Sequence, residues 1–436
     1  MRLEIGTFQV KDMKFGDRTF YGNGLLTINK EEALAAVMDD GHIVEADLHI
    51  VRPGDMVRIT PAKDAFEPRC KVSGGTVNFP GFMGKLEGAG EGVVHAMKGC
   101  SVIVAGKKWG AFPDGIIDMG GKYQNYTHFG SMVNLVLVAD SDEIEEQRAF
   151  QKKNLAYRKA GMKLATYLGE CLRELTPEGR EIYDLPPLYE RGPETEKLPR
   201  VVYIKKILAQ WEDKGYNAEW YGWDVKRTLP MFVHPNEILD DALVAGSFTP
   251  ASNRDVTIGL QNSQIIKKLM AEHGKTINFL GVILAGETVE NKEKQTTTLT
   301  DSRLAKMLGA QGALISREAY GNADVAFMTT IAALEKMGIK TVSTVCECTG
   351  RDGASQPMVL MLPEACALVS TGNVSQILEL PPMETVLGDI ESVARDGCGG
   401  GWPGCVRPDG SLTVEYQAFL NGEAMAGKSV MKCAEF

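Results

Sequence analysis

The strongest constraint on the fold is a rhythm that begins near residue 201. Runs that read as strands ("RVVYIKKIL", "TINFLGVILA", "GALISR", "IKTVSTV", "CALVST") alternate with runs that read as helices ("NSQIIKKLMAEHG", "LTDSRLAKMLGAQ", "ADVAFMTTIAALEKMG"). Gly274, Gly309 or Gly312, and Gly338 fall where helix stops belong. Strand and helix in alternation predict parallel βαβ units and an open, largely parallel α/β sheet. Ligands of such sheets sit at the carboxyl ends of the strands. The loops after "VAG", "VILA", "LIS" and "STV" are therefore the first places to look for function.

Residues 1–150 read differently, as short strands between Gly/Pro turns, and predict a mostly-β domain. One helix, "NKEEALAAVMDD", interrupts them with Asn29 as its cap. A helix and linker over 151–200, ending in "YDLPPLYERGPETEKLPR", then lead to an α/β substrate-handling domain over 201–436.

Composition excludes several classes of partner. With a formal charge of −10, neither nucleic acid nor an anionic membrane is expected as the main partner. No apolar run reaches the roughly 18 residues of a membrane helix. The start, "MRLEIGTFQV", reads as a strand and not as a signal peptide, so a cytoplasmic protein is expected. Nine cysteines, an odd number, read as reduced thiols. Cys346 and Cys348 are too close together for half of a zinc ribbon. Cys398 and Cys405 flank "GGGWPG" and read as structural thiols, with a metal or redox loop as the alternative. The six histidines form no ligand pair, so no metal is expected.

Nucleotide fingerprints are missing too: the glycines of "EGAGEG" have the wrong spacing, and there is no Walker loop. "TGRDGASQP" (349–357) reads either as a backbone nest for a carboxylate, with Arg351 as counter-charge, or as a plain turn. In "ALVAGSFTPASNRD" (242–255) an apolar run gives way to small and polar residues around a lone aromatic, Phe248.

Taken in order along the chain, "MRLEIGTFQVKD", "RPGDMVRI", "GIIDM", "HGKTINFLGVI", "TGRDGASQ" and "ELPPME" resemble the non-selenoprotein subunit of glycine/sarcosine/betaine reductase component B, nearest the unprocessed betaine type. The resemblance implies reductive cleavage of a C–N bond. A selenocysteine on a partner component B subunit attacks the substrate's α-carbon and expels the amine. The carboxymethyl group left on selenium passes to carrier selenoprotein A and then, through component C, becomes acetyl phosphate. It also implies a hetero-oligomer. Family members that act on glycine or sarcosine cut themselves at a cysteine, which becomes a pyruvoyl group. Counting back from "HGKTINF" puts that cysteine at Phe248.

A phenyl ring cannot start such a cut, so no pyruvoyl group is expected in this chain. The adjacent hydroxyls of Ser247 and Thr249 leave alternative processing open. Imine formation with a pyruvoyl carbonyl needs an amine with a lone pair, which glycine and sarcosine have and betaine lacks. The substrate expected is therefore a quaternary, methylated amine. Aromatic faces hold trimethylammonium groups, and Phe248, Trp220, Tyr221 and Trp223 are the candidate cage, while Tyr216 and Phe232 read as core. Arg351 and Arg254, with Arg317, are candidates for the carboxylate end, and Asp255 and Asp352 are their possible structural partners. Two other functions remain: a pyruvoyl-dependent glycine or sarcosine reductase subunit, and a catalytically silent paralogue that binds a quaternary amine or scaffolds the partner.

Overall fold

A computed structural model describes residues 1–39, 42–107, 115–142, 150–210, 217–247, 251–395 and 399–422. The chain is mixed α/β, with a mostly-β amino-terminal half and an open α/β carboxyl-terminal half.

In the first half, Gly179–Asp184, Arg2–Gln9, Gly92–Lys98 and Arg69–Ser73 form a four-stranded sheet in that order. A second sheet runs Gly115–Asp118, Val57–Phe66, Cys100–Gly106, Val133–Ser141, Ile43–Val51, with Thr385–Gly388 also beside Val57–Phe66. Sheets are thus shared between segments on either side of residues 150 and 201. The Asn29 side chain caps Lys30–Met38 by accepting from the N–H groups of Glu31 and Glu32. The long helix Phe150–Glu170 lies close against the sheets because two of its residues have no side chain. A Cβ at Gly161 would stand 2.4 Å from Phe66 and Val104, and one at Gly169 2.0 Å from the carbonyl of Arg69.

The second half is built on a six-stranded sheet in the order Met231–Val233, Asn278–Glu287, Arg200–Leu208, Gly312–Arg317, Lys340–Glu347, Leu368–Asn373. All its strands are parallel except the first. Both faces are covered, which explains why the apolar residues of the central strands face both ways, interrupted in Arg200–Leu208 by Lys205 and Lys206. Val202, Ile204 and Ile283 pack with Phe327 and Ile331 of helix Asn322–Lys336. Tyr203, Ile207, Phe279 and Val282 point the other way, towards Ile266 of helix Gln264–Glu272. Gly274, Gly309 and Gly338 have positive φ just beyond their helices, whereas Gly312 opens a strand.

Candidate functional site

The strand Arg200–Leu208 lies between Asn278–Glu287 and Gly312–Arg317, so the strand order reverses across it. Its carboxyl end is the crevice where an open α/β sheet accepts ligands. The residues there are charged and buried. The Lys206 ammonium lies 3.1 Å from Glu287 and 2.9 Å from Asp301, and all three side chains are fully buried. Next to it, Lys205 pairs with Asp255. Glu318 accepts from the N–H groups of Leu208 and Asp255, each at 2.9 Å. Burial, reinforced by repulsion from Asp255, pushes its carboxyl up to about 7, against the pull of Lys205. Arg317 is committed to Asp324 at 2.6 Å and to the carbonyl of Ala319 at 2.7 Å, with its guanidinium over the Phe327 ring.

The segment that follows the short strand Leu243–Val244 reaches this crevice from the side. Phe248, Thr249 and Pro250 lie outside the described residues. The chain on either side of them is held by both halves of the molecule. Ser247 is buried, and its hydroxyl accepts from Asn154 Nδ2 at 3.2 Å. Arg158, one turn further along the same helix, donates to the carbonyl of Ala245. Arg254 donates to the carbonyls of Gly246, at 3.2 Å, and Lys63. Asp64 accepts from Thr257 N–H at 2.8 Å and its hydroxyl at 2.7 Å. Burial raises the Asp64 carboxyl, and the nearby Arg254 opposes that rise. The carbonyl of Asn253 accepts from Ala319 N–H at 2.9 Å, and that of Arg254 from Asn421 at 3.0 Å.

Sequence reading singled out Ser247 and Arg254 but missed Lys63, Asn154 and Arg158. For the last two a signal was present. They stand at i and i+4 on a helix whose buried positions are otherwise mostly apolar, and such polar residues carry a reason. Lys63 lies within a strand and gave no comparable mark.

The aromatic candidates form a hairpin beside this segment. Trp220 faces Trp223 across the turn residues Tyr221 (φ 50°) and Gly222 (φ 74°), both in the left-handed region that a two-residue hairpin turn uses. In the same small sheet Trp220 pairs with Leu243 and Glu219 with Val244. The Trp220 and Tyr221 rings meet edge to face, with centroids 5.1 Å apart. The Tyr221 hydroxyl is fixed: it donates to Glu237 at 2.9 Å and accepts from Ala89 N–H at 3.0 Å. Trp223 is 58% exposed. Phe232 is partly exposed on the antiparallel edge strand, and Tyr216 lies outside the described residues.

Arg351 occupies an exposed turn after the strand Lys340–Glu347. Its Nε donates to Glu415, and its guanidinium lies 4.2 Å from the Trp402 ring centroid. Asp352 accepts from Ala354 N–H and contributes to the turn itself. The structure therefore gathers Ser247 and Arg254 around one segment and sets the Trp220–Trp223 hairpin beside it. Arg351 has its own partners elsewhere. Cys346 is buried against the carbonyl of Ala319, and the Cys348 sulfur lies 3.5 Å from the Ser375 hydroxyl. Burial pushes the Cys405 thiol up, and Cys398 lies outside the described residues. Among the described residues no group of three or more His, Cys, Asp or Glu is placed to hold a metal ion. No helix among them is long and apolar enough to cross a membrane.

Comparison with known proteins places this arrangement in a family. A family model described as glycine/sarcosine/betaine reductase component B subunits matches residues 1–434. The betaine reductase complex component B subunit alpha of Peptoclostridium acidaminophilum is 49% identical, over the whole of both chains. The glycine reductase complex component B subunits alpha and beta of Acetoanaerobium sticklandii are 37% identical over 99% of each chain. The sarcosine reductase complex component B subunit alpha of Peptoclostridium acidaminophilum is 35% identical over 96% of each. No solved structure matches the chain. A full-length family match, together with full-length relatives well above 30% identity, establishes that this chain belongs to the glycine/sarcosine/betaine reductase component B subunits.

Proposed function

We propose that the chain is the substrate-binding subunit of a betaine-type reductase component B, acting on a quaternary, methylated amine without a pyruvoyl group of its own. The observation that carries this reading is Phe248, which stands where the family resemblance puts the self-cleaving cysteine. A phenyl side chain has no heteroatom for the acyl shift that begins such a cut. Ser247 has a hydroxyl but sits one residue away, with that hydroxyl accepting from Asn154. These residues do not fit a pyruvoyl precursor at the family position. The higher identity to the betaine reductase relative, 49% against 37% and 35%, supports the same choice.

The chemistry explains why a betaine-type subunit can do without the carbonyl. A quaternary nitrogen has neither a lone pair nor a proton to lose, so it cannot form an imine. It also needs no activation. When a selenolate of the partner subunit forms the C–Se bond, the C–N electron pair leaves on nitrogen and trimethylamine departs neutral. This chain's task is to hold the substrate in line for that attack, a positioning effect worth up to about 7 to 11 kcal/mol in well-oriented systems. A shielded site between two subunits keeps water out. The amine's former carboxymethyl group then goes to the carrier and acetyl-phosphate-forming components.

Intact mass of the purified protein tests the reading. A single species near 47.5 kDa is expected. Two fragments summing to that mass would return the chain to the pyruvoyl-dependent class. Calorimetric titration should rank betaine above dimethylglycine, sarcosine and glycine, because each methyl removed takes contact area from an aromatic site.

A further inference from the structure

The buried carboxylate of Glu318 ties together two parts of the chain. One oxygen accepts from the N–H of Leu208, the last residue of the central strand Arg200–Leu208, and the other from the N–H of Asp255, both at 2.9 Å. Glu318 follows the strand Gly312–Arg317, and its own N–H donates to the carbonyl of Lys206 at 3.1 Å. The next residue, Ala319, stands at φ 61°, in the left-handed region that a residue with a Cβ rarely adopts. In that conformation its N–H donates to the carbonyl of Asn253 at 2.9 Å, and its carbonyl accepts from Arg317 at 2.7 Å. Residues held in such strained conformations cluster at binding and switch segments. Glu318 and Ala319 together fasten residues 253–255, just after position 248 in the chain, to the carboxyl end of the sheet.

The charges around Glu318 decide which form it takes. Asp255 faces it from the segment and Lys205 from the central strand, and the Lys205 ammonium pairs with Asp255. Tyr203, on the same face of that strand, shares a hydroxyl hydrogen bond with Ser316. Arg254 donates to the carbonyls of Gly246 and Lys63, Arg317 pairs with Asp324, and Lys206 projects to the other face, to Glu287 and Asp301. Burial and the negative charge of Asp255 push the Glu318 carboxyl up to about 7. When ionised, the group offers a strong acceptor to each N–H. Once protonated, one oxygen is a hydroxyl, a weaker acceptor whose own proton must find a partner, so one of the two bonds loosens.

We propose that Glu318 is a positioning residue for the substrate site: its carboxylate clamps residues 253–255, and through them the segment that carries position 248, in the place where that segment binds substrate. Protonation slackens the clamp, so binding is favoured above the Glu318 titration and is weakened as pH falls through it. That the substrate is a quaternary amine rests on the function proposed above; the clamp itself rests on the hydrogen bonds.

Two measurements on the full chain test this: betaine affinity by calorimetry, and hydrogen exchange of the Asp255 amide without ligand, corrected for its ordinary base catalysis. Each is made at about pH 8 and about pH 6, on either side of the Glu318 titration. In the parent, betaine binding is expected to weaken about 3- to 10-fold at the lower pH, the worth of one hydrogen bond, and the Asp255 amide to lose protection by a similar factor. Glu318→Gln keeps the shape but turns an NH2 towards one of the two N–H groups. It is expected to bind betaine at the parent's weaker, low-pH level at both pH values. Should that variant not fold, the parent's two profiles decide alone. Betaine affinity that is flat with pH in the parent, or that changes equally in Glu318→Gln, overturns the proposal. So does a change in amide protection that leaves betaine affinity untouched, since Glu318 would then be a structural tie only. If the parent binds no betaine while the Asp255 amide still loses protection at low pH, and at both pH values in Glu318→Gln, the quaternary-amine reading fails and the clamp on the segment stands.

Discussion

Arg254 reaches back eight residues to donate to the carbonyl oxygen of Gly246 at 3.2 Å, and its other terminal nitrogen donates to the carbonyl of Lys63. One guanidinium thereby closes the neck of the loop that carries position 248 and fastens it to a strand of the other half. Only a planar fork reaches both carbonyls at once. Arg254→Lys keeps the charge beside Asp64 but loses the fork, and is expected to cost about 2 kcal/mol. Arg254→Met also strands the buried Asp64 carboxylate, and should cost about 3 to 5 kcal/mol. Urea unfolding of the two variants checks the order. Equal losses would mean that the charge alone matters.

A second prediction concerns the hairpin. Gly222 has a positive φ, and a Cβ there would stand 2.1 Å from the carbonyl oxygen of Gly81. Gly222→Ala meets both obstacles and is expected to destabilise the protein by about 2 kcal/mol or more. The damage should be local at first, with the fluorescence of Trp220 and Trp223 shifting before the global transition. A variant that melts and fluoresces like the parent would show that the 81–82 loop yields without cost.

These two sites differ in how far the sequence announced them. Alternating strand and helix after residue 201 was legible because both faces of the sheet are buried, which gives strands such as "RVVYIKKIL" apolar residues facing both ways. Trp220, Tyr221 and Trp223 were visible as a cluster, but their turn was not. Tyr221 at positive φ depends on a following glycine and on packing against Gly81, a partner 140 residues away. The charged lining was the least legible part. Lys63, Arg158 and Glu318 reach the segment 245–255 only through tertiary contacts, and periodicity does not record such contacts. Arg351 was singled out for its turn, yet its described contacts are Glu415 and Trp402.

His234 predicts an acid-side weakness. Its Nδ1 accepts from Asn236 N–H at 3.2 Å, capping the helix Pro235–Leu239, and its Nε2–H donates to the carbonyl of Leu185 at 3.0 Å. Burial holds its pKa down, from 6.5 to about 4. The unfolded chain therefore takes up the proton first as pH falls. The contribution of His234 is complete above about pH 6.5 and is lost as pH falls towards about 4. A loss on the order of 2 kcal/mol is expected across that window. His234→Asn keeps a capping oxygen but does not titrate, so its stability should change less between pH 6.5 and 4. Parallel slopes for the two proteins would remove His234 from the account.

The last prediction returns to position 248. If its phenyl ring is a wall for trimethylammonium, Phe248→Cys should weaken betaine binding by about 0.5 to 2 kcal/mol, or about 2- to 30-fold. Phe248→Tyr keeps an aromatic face and should stay close to the parent. Restoring the cysteine should not by itself restore self-cleavage, because the residue before it remains Ser247, after Gly246, where the family resemblance implies an asparagine. Mass spectrometry of Phe248→Cys is thus expected to show one uncut chain with reduced betaine affinity. A variant that binds betaine as tightly as the parent would remove the ring from the substrate site. One that cuts itself and becomes sensitive to borohydride would show that the residue at position 248 alone decides whether this chain is processed.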